Sequence, residues 1–130
     1  MDVGLATGLT RPEEIIARCR HLGVRHVTLA VDPMPGYREN FTPDAAYLSS
    51  VCERLASAGI TVSALNSRVG WERPDGPDAS IVEDITKHRR EVDGALKTLE
   101  LQGRLRIGVQ LHYVGVPMPA DEAKDALYWS

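Results

Sequence analysis

Apolar residues recur along the chain with two periods, one typical of short β-strands and the other typical of amphipathic helices. Runs rich in β-branched residues predict four strands, at residues 2–7, 25–31, 60–66 and 105–111. Apolar residues at helical spacing predict a helix in each interval between them. Strict alternation of strand and helix is typical of right-handed βαβ units around a parallel sheet.

Each predicted helix begins at a hydroxyl residue suited to capping its first turn, and two of them have a glutamate three positions later. The predicted starts are Thr10, Thr42 and Ser80. The predicted stops are glycines, which accept the left-handed conformation that closes a helix: Gly23, Gly59 and Gly103. A fourth helix is predicted to start near Asp121.

The third helix is expected to turn one apolar stripe towards the sheet. Its members are Ile81, Ile85, Val92, Leu96 and Leu99. The two cysteines, Cys19 and Cys52, lie on apolar helical positions and are interpreted as small buried hydrophobes.

Two architectures accommodate four strand–helix units in a single domain spanning residues 1–130. One is an open, doubly wound sheet, and the other is half of a (β/α)₈ barrel, since a whole barrel takes roughly 250 residues. The predicted fourth strand would put its bulky residues on one face (Leu105, Ile107, Val109, Leu111) and its small or polar ones on the other (Arg106, Gly108, Gln110, His112). A sheet covered by helices on both faces is apolar throughout, so this contrast favours the half barrel.

The connections from strand to helix are long, whereas those from helix to strand are short. The long ones are expected at residues 32–41, 67–79 and 112–120. All of them follow the carboxyl ends of strands, which is where ligands bind in either architecture.

Composition narrows the classes of partner. A net charge of −3 with Lys and Arg scattered among Asp and Glu argues against nucleic acid and against an anionic membrane surface. No apolar run approaches the ~20 residues that span a bilayer, and the first residues lack a signal-peptide pattern. We therefore expect a cytoplasmic protein whose partners are small molecules or proteins.

Five residues at the predicted carboxyl edge are candidates for binding a substrate: Asp32, Asn66, Arg68, His112 and Tyr113. An arginine there could pair with a substrate carboxylate through two hydrogen bonds. His112 was expected on the same face as Asp32, but a His and an Asp alone make a poor site for Mg²⁺ or Mn²⁺. The sequence therefore predicts substrate contacts and no metal ligands in this chain, and it leaves the catalytic residues open.

Several stretches resemble the amino-terminal half of the xylose isomerase-like TIM barrels. They are "MDVGLATG", "HLGVRHVTLAVD", "ASAGITVSALNS" and "RIGVQLHYVG". The long third helix, "SIVEDITKHRREVDGALKTLELQG", followed by the Tyr-containing "LHYVG", is most similar to mannonate dehydratases within that superfamily.

The resemblance implies a divalent metal, Mn²⁺ or Mg²⁺, at the carboxyl end of a complete barrel, with its ligands supplied mainly by later strands. It implies dehydration of D-mannonate to 2-keto-3-deoxy-D-gluconate. In that reaction a base removes the proton beside the carboxylate, the metal stabilises the enediolate, and an acid assists the departure of hydroxide.

Three alternatives stay open. The chain is expected to be the first half of a mannonate dehydratase-like lyase, inactive until a second half completes the barrel. It could instead belong to a sugar or sugar phosphate isomerase or epimerase of the same superfamily. It could also be a non-catalytic half barrel that serves as a binding or interaction module. Each predicts self-association or completion by a second half, because a half barrel has two unpaired strand edges. The predicted helix that runs to Ser130 without a glycine stop suggests truncation.

Overall fold

Strands and helices alternate along the part of the chain that the computed structural model describes, residues 3–69 and 81–114. The strands are β1 (Gly4–Thr7), β2 (His26–Ala30), β3 (Thr61–Val69) and β4 (Val109–Val114). The helices are α1 (Pro12–Leu22), α2 (Tyr37–Asn40), α3 (Ala45–Ser57) and α4 (Ile81–Arg104). The predicted mixed α/β fold of strand–helix units is confirmed, with α2 as an unpredicted single turn between β2 and α3.

The strands lie in the order β1-β2-β3-β4, and each neighbouring pair is parallel. A doubly wound sheet reverses its strand order at a switch point, with later strands added on the other side of the first. The four described strands contain no such reversal. Every crossover within this sheet therefore moves one strand further in the same direction.

One apolar core joins a single face of the sheet to α1, α3 and the carboxyl end of α4. In the sheet, Val27 is 1% exposed, while Leu29 and Leu65 are fully buried. Burying a Val or Leu side chain contributes roughly 1.5–3 kcal/mol. The members of the core that lie in helices are Ile15, Ile16, Cys19, Tyr37, Leu48, Val51, Leu55 and Leu101.

A β-bulge in β3 brings two apolar residues that are three positions apart to the same core. The register runs Val27 to Val62 and then Leu29 to Leu65, so Ser63 is the extra residue. Its hydroxyl lies 3.1 Å from Nδ1 of His26 on the neighbouring strand. Strict alternation along β3 would separate Val62 from Leu65, and the bulge puts both on the helix side.

All three long helices end in the same hydrogen-bonded turn, the Schellman motif. At α1, the amide of Gly23 donates to Arg20 O and that of Val24 donates to Cys19 O. Gly59 and Ile60 repeat the pattern at the end of α3, with φ of 76° at Gly59. Gly23 and Gly59 therefore end their helices as predicted.

The end of α4 corrects the prediction for the fourth strand. Gly103 lies inside the helix, and the left-handed position is taken by Arg106, with φ of 57°. The amide of Ile107 closes the turn by donating to Gln102 O, and Gln102 Nε2 donates back to Ile107 O at 2.9 Å. The strand therefore begins at Val109, and residues 105–108 belong to the turn.

Two predicted helix starts were also wrong. The cap of α1 is Arg11, which makes no side-chain cap bond, and the carbonyl of Thr10 instead accepts a hydrogen bond from the hydroxyl of Tyr47 at 2.9 Å. The cap of α3 is Asp44, whose Oδ1 accepts from the amide of Tyr47 at 2.8 Å, in place of Thr42. Ser80 lies outside the described residues.

Helix α4 is turned differently from the expectation based on its apolar stripe. Val92, Leu96 and Leu99 are exposed. The buried positions beside them are largely small or polar: Glu91, Gly94, Thr98, Leu101 and Gln102. The close approach of α4 to Phe41 accounts for this rotation, because a Cβ at position 94 would lie only 2.6 Å from the carbonyl carbon of Phe41. No helix within the described ranges is long and apolar enough to cross a membrane.

Replacing Arg106 by glycine should stabilise the protein, because the left-handed backbone strains any residue with a Cβ. We expect Arg106→Gly to raise the free energy of unfolding by about 0.5–1 kcal/mol in urea denaturation. The matched control is Arg104→Gly, which removes the same side chain from a helical position and should lower it by up to about 1 kcal/mol. Equal destabilisation by the two changes would contradict the position assigned to Arg106.

Two glycines of α4 should respond to alanine in opposite directions. Gly94→Ala should destabilise the protein by about 1–3 kcal/mol, since the new methyl group would collide with Phe41. A Cβ at Gly103 would meet nothing within 4 Å, so Gly103→Ala should stabilise the helix by about 0.5–1 kcal/mol. Thermal unfolding followed by circular dichroism measures both, and a neutral Gly94→Ala would contradict the packing of α4 on Phe41.

Candidate functional site

The face of the sheet opposite the helices carries small and polar residues near the carboxyl edge. Thr28, Ala30 and Asn66 are partly exposed there, whereas Leu29 and Leu65 on the other face are fully buried. We call this surface the open face. In β2 its residues are small or polar, as the sequence analysis expected for that face of the sheet.

Asn66 holds the central position of the open face. It pairs with Ala30 on one side and Leu111 on the other, and its main-chain oxygen accepts a hydrogen bond from the amide of Val31 at 2.9 Å. Its side-chain Oδ1 is buried and has no hydrogen-bond partner among the described residues. A buried acceptor without a partner costs about 1–3 kcal/mol, so this atom is suited to accept a hydrogen bond from a ligand hydroxyl.

Two further predicted positions are brought beside Asn66 by strand register. Arg68 lies two residues along β3 and pairs with Tyr113 on β4, just as Asn66 pairs with Leu111. Successive residues of a strand alternate between faces, so positions 66, 68 and 113 share the open face. Three of the five predicted site residues are therefore grouped by the backbone.

The register pairs His112 with a residue near the carboxyl end of β3. Its partner in β3 is Ser67, which is 2% exposed and follows Leu65 on the helix side of the sheet. By alternation along the backbone, position 112 falls in the row of Ser67 and position 111 in the row of Asn66. The side chain of His112 lies outside the described residues, so a substrate contact by His112 stays a prediction.

Asp32 lies at the carboxyl edge but outside the strand. It is the second residue after β2, half-buried in the turn that leads to α2. The preceding residue, Val31, is fully buried and still bonded to Asn66 through the main chain. Asp32 is therefore near the same edge as Asn66, as expected for a residue that ends a parallel strand.

A cleft that the sequence analysis did not predict lies at the opposite edge, where the strands begin. Its volume is about 560 Å³, and its polar lining includes Ser49, Glu53, Thr61, Arg104 and Arg106. The turn after α4 brings the two arginines there. Since that turn depends on the left-handed backbone of Arg106, no motif in the sequence marks the cleft.

Cys52 also lines this cleft, and its thiol is not activated as a nucleophile. Burial, with a smaller contribution from the negative charge of Glu53, raises the pKa of the Cys52 thiol to about 11. Burial likewise raises the pKa of the Cys19 thiol. Both cysteines are free thiols, and a raised pKa keeps each protonated at neutral pH, which argues against a role as a thiolate nucleophile.

The described side chains contain no cluster of metal ligands. Among them, no group of three or more His, Cys, Asp and Glu is placed to hold a metal ion. Mg²⁺ and Mn²⁺ require several oxygen ligands. The metal implied by the resemblance is therefore not assigned to this part of the chain, and no chemical step is derived through it.

Comparison of the chain with protein-family models, with curated proteins and with solved structures finds no match. The resemblance to xylose isomerase-like barrels therefore stays a prediction from the quoted sequence stretches.

Alkylation rates test the environment of Cys52. At pH 8, a thiol of pKa about 11 has about 100-fold less thiolate than one at the ordinary value of 9.0, so iodoacetamide should modify Cys52 about 100-fold more slowly than a free cysteine. Peptide mass mapping separates its rate from that of Cys19.

Glu53→Gln is the matched variant, and it should increase the rate only modestly because burial is the larger cause of the shift. Modification of Cys52 in the folded protein at the rate of a free cysteine would contradict this assignment.

Proposed function

We propose that the chain forms the amino-terminal half of a xylose isomerase-like (β/α)₈ barrel that binds a sugar acid on the open face. In the complete barrel we propose a mannonate dehydratase-like lyase that acts in the cytoplasm. The four missing strands would come from a second half, whether a further part of the protein or another chain.

The strand order is the observation that carries this proposal. A (β/α)₈ barrel adds each strand next to the previous one, with all strands parallel and the helices outside. The order β1-β2-β3-β4, with the described apolar core on the side of the helices, is compatible with that arrangement. On the other side Ala30 is small and partly exposed, which would leave room for a lumen shared with substrate.

The buried Oδ1 of Asn66 supports a polyhydroxylated ligand. An acceptor of this kind binds an O–H donor, and sugar acids present several hydroxyl groups beside a carboxylate. Arg68, two positions further along β3, would supply the positive charge for that carboxylate. In this proposal both residues bind and orient substrate, while the proton-transfer groups and any metal ligands come from the second half.

Binding of D-mannonate to the 130-residue chain tests the substrate class. We expect Asn66→Ala to raise the Kd by about tenfold in isothermal titration calorimetry, because one hydrogen bond is worth roughly 0.5–1.5 kcal/mol. Asn40→Ala, which removes an exposed asparagine at the end of α2, is the matched control and should leave the Kd unchanged.

Absence of D-mannonate binding by the folded chain would contradict the proposed substrate. Turnover of D-mannonate with Mn²⁺ by the chain together with its second half would test the lyase reaction itself. Conversion of a sugar or sugar phosphate in its place would favour the isomerase or epimerase.

A further inference from the structure

The cleft where the strands begin, which we call the amino-edge cleft, concentrates positive charge. Its lining includes Arg104 and Arg106, with Glu53 as the acidic residue. A smaller cavity of about 400 Å³ adjoins it through shared lining residues and brings Arg20 and Arg25 to the same edge. The described lining of the two spaces thus carries four arginines and one carboxylate, although the chain as a whole has a net charge of −3.

The helix ends account for only part of this charge. Arg20 and Arg104 lie in the last turns of α1 and α4, where the carbonyl end of a helix favours a cation. Arg25 precedes β2 and Arg106 follows α4, so neither belongs to a helix. The effect of a helix dipole is confined to the last turn and does not explain this second pair.

The guanidinium groups of Arg104 and Arg106 are available to a ligand. Both residues are exposed, and neither guanidinium makes a hydrogen bond or ion pair with another group that the structure describes. Arg54, in contrast, donates to both carboxylate oxygens of Glu13, at 2.7 and 2.9 Å. The positive charge in the amino-edge cleft is therefore not neutralised by its described neighbours.

The turn after α4 holds Arg106 in place at the cleft. Its φ of 57° is disfavoured for any residue with a Cβ. Ile107 is bonded to Gln102 in both directions, because its amide donates to Gln102 O and its carbonyl accepts from Gln102 Nε2. Residues held in the left-handed region by their surroundings are concentrated at ligand-binding and active sites. A function of the side chain explains why an arginine stands where a glycine would be less strained.

The lining of the amino-edge cleft indicates the class of ligand. Paired N–H groups of arginine match the oxygens of a phosphate, and the hydroxyl groups of Ser49 and Thr61 supply further donors. Two positive charges attract a doubly charged phosphate more strongly than a singly charged carboxylate. The remaining lining is largely apolar, and the volume of about 560 Å³ lies within the range of roughly 300–1,000 Å³ typical of small-molecule sites.

We propose that the amino-edge cleft binds the phosphate group of a small phosphorylated metabolite, with Arg104 and Arg106 donating to the phosphate oxygens. Free phosphate carries the same chemistry and is the other source of this group. The cleft lies at the opposite end of the strands from the open face. The proposed site therefore does not depend on the binding of a sugar acid there.

Isothermal titration calorimetry of the 130-residue chain with phenyl phosphate, inorganic phosphate and benzoate tests the ligand class. Phenyl phosphate should bind at least about tenfold more tightly than inorganic phosphate, because the apolar lining would contact its ring. It should also bind at least about tenfold more tightly than benzoate, which carries a single charge. Equal affinity for the two phosphates would support free phosphate as the ligand. Equal affinity for benzoate would overturn the preference for phosphate.

Arg106→Gly should change binding and stability in opposite directions. Loss of the guanidinium should raise the Kd for phenyl phosphate by about tenfold or more, since hydrogen bonds to charged groups are the stronger ones. Relief of the left-handed strain should raise the midpoint of urea unfolding in the absence of ligand. Arg104→Gln should raise the Kd to a similar extent. Arg38→Gln, which changes an exposed arginine of α2, is the matched control and should leave the Kd unchanged.

Absence of saturable binding of either phosphate by the folded chain at millimolar concentrations would overturn the proposal. An unchanged Kd in both Arg106→Gly and Arg104→Gln would overturn it as well. An equal loss of affinity in Arg38→Gln would replace the amino-edge cleft with a general attraction of anions to exposed arginines.

Discussion

Burial of one face of β2 is the constraint on which the rest of the described structure depends. β2 is bonded on both edges, to β1 and to β3, so its backbone is satisfied and its side chains decide what covers it. Val27, Leu29 and Val31 all point to one side and are almost completely buried. The helices have to pack on that side, and every crossover must return there. The other side keeps Thr28 and Ala30, and it becomes the open face as a consequence.

The first three strands and helices α1 and α3 could be predicted because local pattern and tertiary packing agree there. Gly23 and Gly59 take the left-handed position that ends each helix, and the strands follow two or three residues later. The fourth unit could not be predicted in the same way. Its helix passes through Gly103 and ends at Arg104, and the left-handed residue of the turn that follows is Arg106. The positions of the glycines do not predict where this helix ends.

The start of β4 at Val109, and not at the predicted residue 105, explains how much of the candidate site could be predicted. Asn66 and Arg68 could be placed from the sequence because β3 extends through them, and position 113 joins them by register. The sequence alone could not fix the face of His112, because side chains alternate along a strand and the face depends on the register in which β4 pairs with β3. Functional positions at the end of a strand are thus easier to predict than the face on which each one lies.

Close approach, rather than apolar burial, sets the rotation of α4. Its hydrophobic periodicity alone would turn Leu96 and Leu99 towards the sheet. The helix instead packs Gly94 against the backbone of Phe41. It also buries Thr98, whose hydroxyl donates to the carbonyl oxygen of Gly94 in the same helix at 2.8 Å. A residue without a Cβ permits a helix–loop separation that no leucine allows, and the buried hydroxyl is satisfied within the helix. Val92, Leu96 and Leu99 are therefore exposed although they share one side of the helix, so the periodicity of α4 does not identify the side that packs on the rest of the protein.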